Sequence, residues 1–240
     1  MFVNDLPDLM INEMQMFADD TKIWTVIKKK ENSISLQNDL SSHDSWSQIW
    51  LLGLNAEKCK VLHVGHSYNT SYYIKQGQSD LQLQVITEEK DLGVYTLDTL
   101  KSSRQCLDSA ARASSILGQI ARCFGTLDIA NFRLLYKTYV RPHLEYCVQA
   151  WNPYLHRDID CQEKIQRRAT RLVKGFAKKS YEDRLRLLGF TTLQQRRLRG
   201  DLIEMYKILT GREGLDKDKF FTVANKERGV RGHSKKLFKP

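Results

Sequence analysis

The sequence predicts an α+β fold: a strand-rich first part followed by an all-helical second part. Three observations predict it. Short β-type runs punctuated by Gly, Asn and Ser fill the first hundred residues, a helical apolar period begins at Ser103, and the positive charge is concentrated toward the C-terminus. The 240 residues are 41% apolar and 28% charged with only four prolines, which excludes a disordered chain and allows two compact units. The expected division is 1–100, 101–212, and a basic flexible tail at 213–240.

The first element is a tight β-hairpin. Met14, Met16 and Phe17 lead into Ala18-Asp19-Asp20, and Ile23, Trp24, Val26 and Ile27 lead out, so two adjacent carboxylates stand at the turn. At a turn both can reach forward, and hard oxygen donors there suit Mg²⁺, which uses one or two protein carboxylates plus substrate phosphates. The plain alternative is a solvated acidic turn. Leu36, Leu40, Trp46, Ile49 and Trp50 recur at helical spacing from Ser33 to Trp50, with Asn32 as N-cap. β-type runs follow at Val61–Val64, Ser71–Ile74, Leu81–Ile86 and Leu92–Tyr95.

From Ser103 the period is helical. Ala110, Ala113, Ile116, Leu117, Ile120 and Phe124 fit one helix that stops near Gly125; Ile129 to Tyr139 fit another, and Pro142 marks a break before a third. A helix from about Ile159 to Val173 turns Ile165, Ala169 and Leu172 inward and carries Lys164, Arg167, Arg168, Arg171 and Lys174 on its other faces. The last, about Leu193 to Leu209, contains Arg196, Arg197 and Arg199. Trp151, beside Asn152-Pro153, is either a core residue or a surface on which a base stacks. Cys147, at an apolar helical position, reads as a packed thiol.

Charge narrows the partner class. From Arg157 to Pro240 there are 23 Lys/Arg against 11 Asp/Glu, a net +12, while residues 1–156 hold 15 against 17. Such asymmetry points to a polyanion, most often nucleic acid, whose condensed counterions are released on binding. No apolar run approaches the roughly 18 residues that cross a bilayer, and a basic region followed by an apolar stretch is missing from the N-terminus. The expectation is an intracellular protein of nucleus or cytoplasm with no membrane partner. Five widely spaced cysteines argue against a disulfide framework or a CxxC metal knuckle.

Several ordered blocks carry a family resemblance. Phe2-Val3-Asn4-Asp5-Leu6-Pro7, Phe17-Ala18-Asp19-Asp20-Thr21-Lys22, the run from Asn55 to Gly65, Lys90-Asp91-Leu92-Gly93-Val94, the run from Leu135 to Tyr146 and Gln166-Arg167-Arg168-Ala169-Thr170-Arg171 resemble the second half of a non-LTR retrotransposon reverse transcriptase of the jockey-like, LINE class. The likeness extends from residue 2 to about 209. It implies an RNA-directed DNA polymerase fold: a partial palm of β-hairpins with a packed helix, then a helical thumb and connection region.

The resemblance also implies roles. Asp19 and Asp20 match the palm aspartates that hold Mg²⁺, and Lys58 matches a palm lysine proposed to protonate departing pyrophosphate. Leu92, Gly93 and Val94 match the primer grip, where a glycine lets backbone approach the primer end. Arg167, Arg168, Arg171, Lys174, Arg196, Arg197 and Arg199 would lie along a duplex backbone. Implied partners are an RNA template, a DNA primer or RNA–DNA hybrid, and deoxynucleotides in the parent enzyme. Only 18 residues precede Asp19, leaving no room for the family's further palm aspartate and fingers, so the expectation is a polymerase fragment inactive alone. The other readings are a non-catalytic nucleic-acid-binding module on residues 157–212 and the inert product of a decayed element.

Overall fold

The structure, a computed structural model, describes residues 5–65, 70–76, 79–224 and 236–238. The chain is α+β and forms two compact units, Met1–Lys101 and Ser102–Pro240. Among the described residues no helix is long and apolar enough to cross a membrane.

In the first unit, β1 (Glu13–Phe17) and β2 (Asp20–Trp24) pair antiparallel with Phe17 opposite Asp20. Alternation leaves Met14, Met16, Thr21 and Ile23 half-buried on one face, while Phe17, Asp20, Lys22 and Trp24 are exposed on the other. α1 (Lys30–Ile49) follows. Asn32, expected as its N-cap, sits three residues inside, and its side-chain oxygen accepts from the Lys28 and Lys29 amides at 3.1 and 3.0 Å. The chain reaches the hairpin through Asp39, a buried α1 carboxylate that accepts from the Ile11 and Asn12 amides at 3.0 and 2.8 Å and from Asn12 Nδ2 at 2.7 Å.

The remaining strands make three further two-stranded pairs. β3 (Lys60–Leu62) runs parallel to β6 (Gln84–Ile86), β4 (Tyr73–Gln76) pairs antiparallel with β5 (Ser79–Gln82), and β7 (Glu88–Asp91) with β8 (Val94–Leu97). Gln37 of α1 acts as a strand partner for Tyr73, donating to its carbonyl and accepting from its amide, both at 2.9 Å. The buried cluster here is small: Ala56, Tyr72, Ile74 and Leu83, with Leu36 and Leu40 of α1 packed on it.

The second unit has the larger core. α2 (Ser103–Phe124) buries Cys106, Ala110, Ala113, Leu117 and Ile120 along one stripe and ends at Gly125, whose φ of 62° only glycine adopts without strain. Phe124, expected inside, is exposed. α3 (Ile129–Leu135) is N-capped by Asp128, which accepts from the Asn131 amide at 2.8 Å. Pro142 does not break the chain here. One π-helical turn, Tyr136–Val140, carries α3 into α4 (Arg141–Glu145), and this widened turn precedes a residue that has no N–H to donate and whose ring crowds the carbonyl four residues back.

After α5 (Val148–Trp151), α6 (His156–Ala169) packs along α2, where Ala110 and Ala113 admit a close approach. α7 (Tyr181–Leu188) and α8 (Leu193–Leu209) complete the unit, α8 opening on a reciprocal cap between Thr192 and Gln195. Phe132, Tyr136, Val140, Leu144, Ala169, Val173, Leu188 and Leu193 fill the centre. In the expected tail, Lys217–Lys219 form a single 3-10 turn and Val223 bridges Leu237; residues 225–235 and 239–240 lie outside the described residues.

Candidate functional site

The paired carboxylates occupy a tight corner. Ala18 and Asp19 alone connect β1 to β2, so Asp19 is the second turn residue and Asp20 opens β2. Ala18 has φ 55° while Asp19 does not share the positive sign, the pattern of a II′ turn that ordinarily puts glycine first. An alanine there costs about 1–2 kcal/mol, and strain of this size at a tip bearing two carboxylates is a pointer to function. Both aspartates are exposed, and within the described residues no hydrogen bond or ion pair engages either carboxylate. Two hard oxygen donors with open faces fit a hydrated Mg²⁺. Among the described residues no group of three or more metal-ligating side chains forms, so nothing else in reach completes a cage.

A second strained hairpin is tied to the first. Leu92 and Gly93 form the two-residue turn between β7 and β8, with φ of 45° and 85°, the double-positive pattern of a I′ turn. The expected run Leu92–Tyr95 is therefore not a strand: Leu92 and Gly93 turn, and the strand begins at Val94. Lys22 of β2 ion-pairs with Asp91, the last residue of β7, which joins the two turns within one unit. Lys60 at the start of β3 lies 3.7 Å from Glu89. Lys58 stands in the turn before β3, its amide donating to the Asn55 carbonyl at 3.0 Å, and within the described residues its exposed ammonium neither ion-pairs nor hydrogen-bonds with Asp19 or Asp20.

The basic face belongs to α6. Lys164, Arg167 and Arg168 follow i, i+3, i+4 spacing on α6 and are exposed, so they share one face rather than spreading around the helix, and Arg171 is exposed in the 3-10 turn Thr170–Leu172 that continues it. Arg167 lies 5.3 Å over the Tyr181 ring, and Arg168 donates to the Ser114 carbonyl and hydroxyl at 3.1 and 2.7 Å. These contacts engage the guanidinium groups themselves, which remain exposed and keep the surface cationic. Asp160 is the one acid at the same spacing, a turn before Lys164. Lys174 is exposed just beyond, and its amide donates to the Leu127 carbonyl at 2.8 Å.

What lies beneath that face departs from the expected apolar stripe. Gln162, Glu163 and Gln166 are buried, whereas Ile165 and Leu172 are only half-buried. Gln162 Nε2 donates to the Cys106 carbonyl at 2.6 Å and Ser109 Oγ at 2.8 Å. Gln166 accepts from the Tyr136 hydroxyl at 2.8 Å and donates to Tyr181 Oη at 2.8 Å and the Thr191 carbonyl at 3.0 Å. Glu163 accepts from Tyr181 and from the Leu193 amide, so the polar groups of α6 fix α3, α7 and α8 at once. Burial, then the hydrogen bond to Glu163, pushes the Tyr181 phenol well up.

Three expectations are corrected on this unit, and one alternative is decided. Arg197 is 2% exposed, with burial lowering its pKa, so it does not face a phosphate backbone. Two neighbouring arginines on a helix point about 100° apart, and packing against α5 and α6 takes one of them inside. Arg196 forks onto Glu145, which holds its pKa up, and is engaged rather than free; Arg199 remains exposed on α8. Of the two readings of Trp151 the core one holds: it is buried and donates from Nε1 to the Tyr146 carbonyl at 2.8 Å, so it is not a base-stacking surface. Cys147 is exposed at φ 51°, not a packed thiol.

Asp39, Gln166 and the Lys22–Asp91 pair gave no signal in the sequence, their partners lying 15 to 69 residues away. No protein-family model, curated protein or solved structure matches the chain.

Proposed function

We propose that this chain carries palm and helical-thumb segments of an RNA-directed DNA polymerase of the non-LTR retrotransposon kind. The observation that carries the reading is the strained two-residue tip bearing Asp19 and Asp20, tethered through Lys22 and Asp91 to a second strained turn at Leu92-Gly93. A palm needs these parts together: carboxylates for metal, and a tight backbone turn beside them for a primer end.

Asp19 and Asp20 would hold Mg²⁺, which in such a site activates a primer 3′-hydroxyl and stabilises the leaving pyrophosphate. The chain's own residues then position. The exposed ion pair links the two hairpins, and the open β1–β2 face of Phe17, Lys22 and Trp24 leaves the tip accessible. With two carboxylates and no third ligating group among the described residues, metal affinity is weak and the rest of the coordination falls to water and phosphate oxygens. In the second unit, Lys164, Arg167, Arg168, Arg171 and Lys174 supply backbone contacts that carry no sequence choice.

The test is paramagnetic broadening by Mn²⁺, a Mg²⁺ surrogate, in amide NMR spectra of the full chain. The reading predicts broadening centred on Ala18, Asp19 and Asp20 that disappears in Asp19→Asn/Asp20→Asn. Broadening spread evenly over the surface acids, or unchanged in the double variant, would remove the hairpin as a metal site.

A further inference from the structure

The loop between α5 and α6 buries one aromatic and presents another. Tyr154 is 66% exposed, the most exposed tyrosine among the described residues, where no hydrogen bond or ring contact engages it. Its mount is rigid. Trp151 and Pro153 are buried, and Asn152 Nδ2 donates to Asp201 of α8 at 2.5 Å. A tyrosine has only two side-chain torsions, so a ring mounted this way offers a stacking face at small entropic cost.

Cations continue from that ring along α6. Arg157, Lys164 and Arg168 recur at i, i+7, i+11, which sets them in a single row about 16 Å long, and all three are exposed. Arg157 Nη2 donates to Ser103 Oγ at 3.2 Å and Arg168 Nη2 to Ser114 Oγ at 2.7 Å, so both ends of the row lean onto α2. The acids of α6 do not cancel it. Asp158, 3.6 Å from Arg157, is buried and accepts from Ser103 Oγ at 2.6 Å, while the Arg157 side chain stays 71% exposed. Glu163 is buried, and Asp160 is offset from the row by about 60°. An exposed aromatic at the end of a cationic row is the pairing that holds single-stranded nucleic acid: the cations take phosphates, and the ring takes the π-face that every base has.

We propose that Tyr154 is a stacking platform for the first unpaired base of a nucleic-acid strand whose phosphates follow the row from Arg157 to Arg168. This rests on the reading of α6 as a backbone-tracking face and adds to it the place where a duplex ends. A base inside a duplex has both faces covered by its neighbours, whereas an unpaired base can splay onto the ring. The platform therefore favours a junction between duplex and single strand without choosing among bases.

The test is equilibrium binding of the full chain to a blunt RNA–DNA hybrid and to the same hybrid with a short single-stranded extension, built at each end in turn. The first unpaired position carries a fluorescent adenine analogue. One of the extended hybrids should bind about tenfold tighter than the blunt one, with the analogue quenched on binding. Tyr154→Ala should return its affinity to the blunt level, remove the quenching and leave blunt binding unchanged, while Tyr154→Trp keeps both gain and quenching. Salt-dependent blunt binding with no gain from either extension, or with a gain that survives Tyr154→Ala, overturns the proposal alone. Absence of binding to every hybrid, or blunt binding untouched by Arg167→Gln/Arg168→Gln/Arg171→Gln, overturns the α6 reading and the proposal with it.

Discussion

Gln166→Leu is the substitution that most sharply tests how the helical unit is held. The side chain is 1% exposed and serves three elements: it accepts from Tyr136, donates to Tyr181 and donates to the Thr191 carbonyl. Leucine fills a similar volume but leaves two groups orphaned, the Tyr136 hydroxyl, itself 1% exposed, and the Thr191 carbonyl; Tyr181 keeps Glu163. At about 1–3 kcal/mol for each unsatisfied group, and about 1 kcal/mol returned by the apolar side chain, the unit should lose about 1–5 kcal/mol. Urea unfolding followed by the fluorescence of Trp151, in a chain whose other tryptophans are phenylalanine, reads the second unit alone. With a slope of about 1–3 kcal/mol per molar, the midpoint should fall by about 1–2 M. Adding Tyr136→Phe removes one orphan and should recover about half of the loss. A midpoint shift within error, or no recovery in the double variant, would refute the view that buried polar groups of α6 organise this unit.

Ala18→Gly should stabilise the first unit by about 0.5–1 kcal/mol, the relief of a positive φ less the entropy glycine adds to the unfolded chain; destabilisation in urea would show the turn is not strained. His43 is buried, and burial outweighs Asp44 in holding its pKa below 6.5, so the folded state favours neutral imidazole; its contribution is full above that value and is lost as pH falls below it. Hydrogen-exchange protection in the first unit, taken relative to the intrinsic exchange rate at each pH, should therefore fall between about pH 7 and 5, and less so in His43→Gln. Burial, then the charge of Asp158, pushes the Cys106 thiol up to about 12, so its contribution is full below the ordinary value of 9.0 and is lost as pH climbs toward 12. Maleimide should modify exposed Cys123 and Cys147 in the native chain and Cys106 only on unfolding; early labelling of Cys106 would contradict its burial.

Local signals were legible where a residue's partner lies nearby in sequence. The limits of α8, the end of α2 at Gly125 and the Asp19-Asp20 hairpin all follow from patterns spanning a few residues. Distant partners left no such signal. Nothing in the spacing of Gln162, Glu163 and Gln166 announces that Cys106, Tyr136 and Leu193 will bury them. Glu88–Asp91 is a strand without apolar alternation, so Leu92-Gly93 read as extended rather than as the turn that Glu88–Asp91 requires. The candidate site divides the same way: the acids and the Arg167-Arg168-Arg171 face were readable, whereas the ion pair joining the hairpins and the burial of Arg197 belong to tertiary packing.

The central claim is that the chain retains a duplex-tracking surface from a polymerase, and the salt dependence of binding to a short RNA–DNA hybrid tests it most directly. Micromolar affinity is predicted for the full chain, with log K falling linearly against log salt by about 0.9 per contacted phosphate on a B-form duplex. Neutralising Arg167, Arg168 and Arg171 together should flatten that slope by up to about three contacts and weaken every sequence alike. Affinity independent of salt, or a slope untouched by the triple change, would contradict the account and leave the α6 face as solvated surface.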